Sequence, residues 1–295
     1  MFFRKPTVMA VYHLFNELSR RVIAVTMVTS AFVMGFTGVA AAQDPVIDRI
    51  EAANLRAGQT ASLVVSGKQL AGAMSLWTEA GVFRPKEGQD LAKDQPVVFE
   101  GAVAANVVPG IYPVRIVTNH GCSEAAFVVL DELPSIATAA ESQDRKSGQE
   151  VTLPCCISGQ LNPVLSKFFR FTLSAGQSVS AEIFARRIGS ELDPVLRVTG
   201  PDGREVAYRD DMPGAEGDTQ LQFSASVDGE YRVEVRDVRY SGGARHFFHL
   251  RLGKLDLLST ASPRVVQFGQ NVALIGAAGT VVGEAKPQAT AEAAG

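Results

Sequence analysis

The chain has 295 residues, 46% of them apolar and 20% charged, with a formal net charge of −3. That is a folding composition rather than a disordered one, and at about 100–200 residues per domain it has room for roughly two domains. Setting aside the basic first 42 residues leaves about −6, which gives no electrostatic case for binding nucleic acid or an anionic membrane surface.

Arg20 and Arg21 precede an apolar run from Val22 to Val39 that ends in Ala40-Ala41-Ala42. A basic start, an apolar core and a small-residue cleavage site describe a Sec signal peptide over 1–42, with the mature chain beginning at Gln43-Asp44. Thr26, Thr29, Ser30, Gly35, Thr37 and Gly38 interrupt the run, which suits a signal core and not a permanent span. The chain is therefore expected to be exported, to the periplasm, the cell surface or beyond, with no membrane span after cleavage.

Downstream, strand-length segments follow at Pro45–Ile50, Ala61–Ser66, Met74–Trp77, Val97–Val103, Ile111–Thr118 and Ala125–Leu130. Turn residues separate them, including Gly67, Gly81, Pro85, Gly88, Pro109-Gly110 and Asn119-His120-Gly121. Short strands at this spacing predict a first β-sandwich over 44–131. Residues 132–150 are polar, contain Pro134, and read as a linker. A second sandwich is predicted over 151–253, from Phe169–Leu173, Val179–Ala185, Val195–Thr199, Glu205–Tyr208, Leu221–Ser226, Tyr231–Asp237 and His246–Leu252. In one of these, Tyr231, Val233 and Val235 alternate with Arg232, Glu234 and Arg236, so a one-residue slip would bury three charges. Residues 254–295 read as the start of a further module near Pro263 that runs into an Ala-, Gly- and Thr-rich tail at Ala277–Gly295. The fold class is all-β, two sandwiches after a signal peptide.

A Gly-Gln pair precedes a strand four times, at Gly58-Gln59, Gly148-Gln149, Gly176-Gln177 and Gly269-Gln270. Recurrent turn chemistry explains this more simply than duplication, because glycine supplies the unusual backbone angle.

The three cysteines are Cys122, Cys155 and Cys156. Neighbouring cysteines rarely bond to each other, so a disulfide permitted by export would join Cys122 to Cys155 or Cys156 and leave one thiol over. The alternative is three reduced cysteines packed as small apolar residues on strands. With no C-x-x-C and no Cys/His cluster in the sequence, zinc is not expected.

Catalytic signatures are missing: the sequence has no H-E-x-x-H, no G-x-S-x-G and no phosphate-cradling glycine loop. His120 lies in a turn, and the spacing of His246 and His249 puts them on opposite faces of a strand, which disfavours a shared metal. Trp77 is expected in the core; exposed, it would offer a sugar- or peptide-facing patch with Phe83. The candidate ligand site is calcium. Asp193, Asp202, Asp210, Asp211, Glu216 and Asp218 fall in turns, and oxygen donors on loops are what calcium needs. Asp193, Asp210, Asp211 and Asp218 are the expected ligands, with Asx turns and solvated charges as the alternative.

These motifs carry a family likeness. Val151–Gly253 resembles the bacterial pre-peptidase C-terminal domain, through Phe169-Arg170-Phe171, Gly176-Gln177, Gly189-Ser190, Leu192-Asp193-Pro194, Asp202-Gly203, Asp210-Asp211, Asp228-Gly229 and Tyr231, with Ser241-Gly242-Gly243 after Asp237. The resemblance implies a β-sandwich appended to secreted peptidases and other exported proteins. It departs at Ser166-Lys167-Phe168, where such domains often carry an acidic residue, so a metal site there is not carried over. Pro45–Leu130 resembles an immunoglobulin-like module of the IPT/TIG kind, from Leu55-Arg56-Ala57-Gly58-Gln59, Val65-Ser66-Gly67 and Pro109-Gly110. Such modules serve as spacers and binding domains in exported bacterial proteins.

The expected function is a non-catalytic exported accessory protein whose modules bind or present an extracellular or envelope protein or polysaccharide. Two alternatives stand: the non-catalytic front end of a secreted peptidase or other hydrolase, and a structural spacer of a surface assembly. No organic cofactor is expected.

Overall fold

Alternation of apolar and polar residues is the force that builds this molecule. The computed structural model describes residues 44–53, 55–212, 214–262, 267, 269–276 and 281–286; the signal segment read over 1–42 and the module start near Pro263 lie outside them. Among the described residues no helix is long and apolar enough to cross a membrane.

The first module contains β1 (Val46–Ala53), β2 (Thr60–Lys68), β3 (Ala73–Thr78), β4 (Gly81–Pro85), β5 (Val97–Ala102), β6 (Gly110–Thr118) and β7 (Ala126–Leu130). All pairings are antiparallel, in the order β1-β2-β5-β4-β3-β6-β7. Edge strands β1 and β7 touch, so the sheet wraps round its own core. Leu63, Val65, Leu76, Phe83, Phe99 and Ile116 fill that core.

The second module comprises β8 (Ser135–Ala137), a 3-10 turn at Ala140–Gln143, β9 (Gln149–Glu150), β10 (Cys155–Gln160), β11 (Lys167–Leu173) and β12 (Ser178–Phe184). A second 3-10 turn at Arg186–Ile188 follows, then β13 (Pro194–Thr199), β14 (Glu205–Arg209), β15 (Gln220–Ser224), β16 (Gly229–Asp237) and β17 (Phe247–Gly253). Two five-stranded sheets result, β15-β12-β17-β10-β8 and β14-β13-β16-β11-β9. Their inner faces share one core, in which Phe169 meets Phe248 edge-on at 6.5 Å. In β16, Tyr231, Val233 and Val235 are buried inward as the alternation requires. Residues 132–150, expected to link the modules, hold β8 and β9, which pair in parallel with β10 and β11.

Three more strands, β18 (Leu258–Ser262), β19 (Val272–Gly276) and β20 (Val281–Ala285), form a small antiparallel sheet. The stretch read as a tail from Ala277 thus contains β20, paired with β19.

The Gly-Gln turns share one geometry. Gly58, Gly148, Gly176 and Gly269 all have φ between +63° and +84°. At three of them the glutamine N–H donates to the residue three back: Gln59 to Arg56, Gln177 to Ser174, Gln270 to Gln267. A positive φ at the third position of such a turn is the type II arrangement, which glycine adopts without strain. Gln177 Oε1 and Gln270 Oε1 also accept the N–H groups of Ser174 and Gln267, which closes the turn from both sides.

Candidate functional site

Period-two alternation gives β10 and β17 an apolar inner face and a polar outer one. Cys155, Ile157, Leu250 and Leu252 point into the core of the second module. Cys156 and Ser158 point the other way, and the β10–β17 register sets them opposite Arg251 and His249. From β12, Glu182 joins the same face, opposite Arg251. The first module covers part of this face with Asp131, the residue after β7, whose N–H donates to Leu55 O.

The polar side chains form a continuous chain of opposite charges. Asp218 Oδ2 accepts from Arg187 Nε at 2.8 Å, and Arg187 lies 3.5 Å from Glu182. Glu182 then accepts from Arg251 Nη1 at 3.1 Å, and Arg251 Nε pairs with Asp131 Oδ2 at 2.9 Å. Asp131 Oδ2 is 3.0 Å from His249 Nε2, and His249 Nδ1 is 3.0 Å from Ser158 Oγ. Burial alone would raise the Asp131 carboxyl. Hydrogen bonds from His249 and the Leu133 N–H, with the charges of His249 and Arg251, outweigh it and hold the group below the usual range.

Ser158, His249 and Asp131 have the composition of a hydrolytic triad. Strand β10 lies between β17 and β8 and pairs with both, so the peptide groups beside Ser158 are used in ladders. An oxyanion site needs free N–H donors, and the ladders consume them here. A second serine–base pair, Ser142 with Lys167 at 2.9 Å, is sealed: Ser142 has no exposed surface and its hydroxyl donates to Ala139 O.

A cleft of about 650 Å³ opens beside the charged chain, between β1, β2 and β7 of the first module and β8, β10 and β17 of the second. Its lining mixes hydroxyl and amide groups (Ser62, Gln143, Gln160, Asn162) with the rings of Phe127 and Phe247. Arg49, also at its wall, is paired with Glu51. Lys167 reaches the cleft from β11, and among the described residues no carboxylate lies within ion-pair distance of it. Burial lowers the Lys167 pKa.

The acidic loop does not assemble as expected for calcium. Asp218 is fully buried and accepts the N–H groups of Ala185 (3.0 Å) and Arg186 (2.7 Å) as well as Arg187 Nε. Those contacts tie Asp218 to the Arg186–Ile188 turn. Asp193 pairs with Arg186 at 3.2 Å, Asp210 accepts the N–H of Asp211, and Asp211 is exposed. Asp202 likewise accepts the Arg204 N–H in an Asx turn. Among the described residues the group of three metal-type donors gathered within 4.8 Å of one another is a different one: Asp131, Cys156 and His249.

The disulfide expected between Cys122 and Cys155 or Cys156 is not formed in this structure, which has the alternative arrangement. All three cysteines are free; Cys122 is exposed beyond β6, whereas Cys155 is buried in the second core and Cys156 on the opposite face of β10. Burial pushes the Cys155 thiol up to about 12, and burial with the nearby Asp131 charge pushes Cys156 up to about 11. Trp77, expected in the core, is 47% exposed on β3, while its intended partner Phe83 is fully buried. Leu76 and Thr78 take the inward positions, so the strand's alternation sends Trp77 out. His120 is exposed in its turn, and His246 lies before β17, apart from the buried His249.

Residues 165–237 match the bacterial pre-peptidase C-terminal domain. The match spans β11 to β16 and contains most of the motifs quoted above for that family. A curated relative, a probable subtilase-type serine protease of Deinococcus radiodurans, is 31% identical over 149 residues. These are 50% of this chain and 20% of that protein, so the chain spans about a fifth of the relative's length. Among solved structures, the pre-peptidase C-terminal domain of a Bacillus anthracis collagenase is similar at 13% identity and a TM-score of 0.29, covering 41% of this chain and 99% of that one. PliG of Aeromonas hydrophila, a periplasmic inhibitor of g-type lysozyme, is similar at 18% identity and a TM-score of 0.26, covering 40% and 96%.

Proposed function

We propose that this chain is an exported, non-catalytic accessory protein that binds a polysaccharide outside the cytoplasm in the cleft between its two β-modules. The observation that carries the reading is the cleft itself. A volume of about 650 Å³ is within the usual range for a ligand site, and both modules contribute walls. Hydroxyl and amide side chains suit the dense hydroxyl pattern of a sugar chain, and the rings of Phe127 and Phe247 offer faces for its apolar side. Export is supported by the signal features over 1–42 and by the pre-peptidase match, since that family is attached to secreted proteins. On this reading the first module is an immunoglobulin-like unit of the IPT/TIG kind, an assignment resting on its sequence motifs.

The experiment is a calorimetric titration of the protein with soluble bacterial envelope polysaccharides, alongside Ser62→Trp, which projects an indole into the cleft from β2. Binding by the wild type and its loss in the variant are expected. A second reading, the non-catalytic part of a secreted peptidase, is favoured by the 149 residues aligned with the subtilase-type protease. It predicts that the protein binds that protease class and leaves the polysaccharide series unbound.

A further inference from the structure

We propose that Asp131, Cys156 and His249 form a buried binding site for a single divalent cation of the zinc type. The inference is independent of what the cleft holds. The three donors come from separate elements: the end of β7, the middle of β10 and the middle of β17. They are 3%, 2% and 7% exposed, and one ligand atom from each lies within 4.8 Å of the other two. A second observation supports the site. A small cavity of about 20 Å³ is lined by these same three residues together with Ser135, Ser158 and Arg56. That is room for one water-sized occupant, since about 10–15 Å³ suffices for a water.

The donor chemistry selects the metal. One carboxylate, one thiolate and one imidazole make an O, S, N set that suits zinc, whereas calcium and magnesium take oxygen alone. Ser158 completes the design as an outer partner. With its Nδ1–H donated to Ser158 Oγ, His249 turns the Nε2 lone pair toward Asp131 and Cys156; such outer-shell bonds fix the tautomer of metal-ligating histidines. The charges also close. Aspartate and thiolate neutralise the dication, and Arg251, at 2.9 Å from Asp131 Oδ2, is balanced by Glu182. Arg56 remains as a nearby positive group.

The proton balance is explicit. At a pH where the imidazole is neutral, the metal-free arrangement that satisfies both contacts has His249 Nε2–H on Asp131 and Nδ1 accepting from Ser158, while Cys156 carries its S–H, which donates to Leu133 O at 3.6 Å. On binding, the imidazole proton moves from Nε2 to Nδ1 and the ring stays neutral. Cys156 loses its proton to solvent. One proton is released for each ion bound.

The test uses the reduced full chain with Co²⁺ as a spectroscopic probe and Zn²⁺ in calorimetry. Stoichiometric Co²⁺ is expected to give a thiolate-to-cobalt charge-transfer band that Cys156→Ser abolishes and Cys122→Ser preserves. Ser158→Ala should weaken Zn²⁺ binding by about 10–100-fold. Titration of the wild type in buffers of different ionisation heats should return one proton per Zn²⁺, a readout that needs no variant to fold. No charge-transfer band in the wild type, a band lost only with Cys122→Ser, or Zn²⁺ binding without proton release would each overturn the proposal.

Discussion

Replacing Asp218 by alanine separates the two roles open to the acidic loop. The carboxylate has no exposed surface and accepts the backbone N–H groups of Ala185, Arg186 and, at 3.4 Å, Arg187, together with the Arg187 guanidinium. Each buried donor left without a partner costs about 1–3 kcal/mol, and breaking a buried ion pair costs about 3–5 kcal/mol. The contributions overlap, and Arg187 keeps Glu182 at 3.5 Å and is itself 22% exposed, so the low end applies. We expect a loss of about 3 kcal/mol, which for a protein of this size lowers Tm by roughly 6–12 °C. Urea unfolding and thermal melts, each run with calcium and with chelator, provide the assay. The loss should be the same in both conditions, and Asp210→Asn or Asp211→Asn should stay within about 0.5 kcal/mol of wild type. A loss seen only with calcium present would refute the structural role and restore a metal to the loop.

Three further outcomes follow from the same geometry. With an aromatic disulfide reagent, one thiol (Cys122) should react in the native state and three after unfolding; two unreactive thiols that persist in denaturant would indicate a disulfide. Phe83→Ala should cost about 3–5 kcal/mol and Trp77→Ala under about 1 kcal/mol by urea unfolding, and a reversed order would return Trp77 to the core. Lys167 is a cation whose folded pKa is depressed below the ordinary 10.5. The folded state therefore binds fewer protons than the unfolded one in the window just below 10.5, and this group's contribution to stability rises with pH there. Lys167→Met should remove that rise, and an unchanged alkaline limb would contradict the assignment.

Much of the fold could be read directly from residue order, because alternation leaves a period-two trace. Strand β16 is the clearest case, with Tyr231, Val233 and Val235 inward and Glu230, Arg232 and Glu234 outward, before Arg236 and Asp237 at its end are buried as well. Strand β4 was masked by the turn residues Gly81 and Pro85 at its own ends. Strand β10 was hidden because Cys155, Cys156 and Ile157 are buried on both faces, which removes the polar half of the pattern. Strands β8 and β9 are too short to show a period and owe their existence to parallel pairing with distant partners. The same reason explains the candidate site. Asp131, Cys156 and His249 carry no local spacing signature; only the β10–β17 register and the contact between modules bring them together. The acidic loop is ambiguous in sequence, since a run of aspartates in turns has the same appearance whether it binds cations or caps peptide N–H groups.

The most direct test of the proposed function is the calorimetric titration of wild type and Ser62→Trp, matched in thermal stability, against soluble envelope polysaccharides. Saturable binding by the wild type that the variant lacks is the predicted result. No binding across the series, or equal binding by the variant, would contradict the cleft as the seat of function.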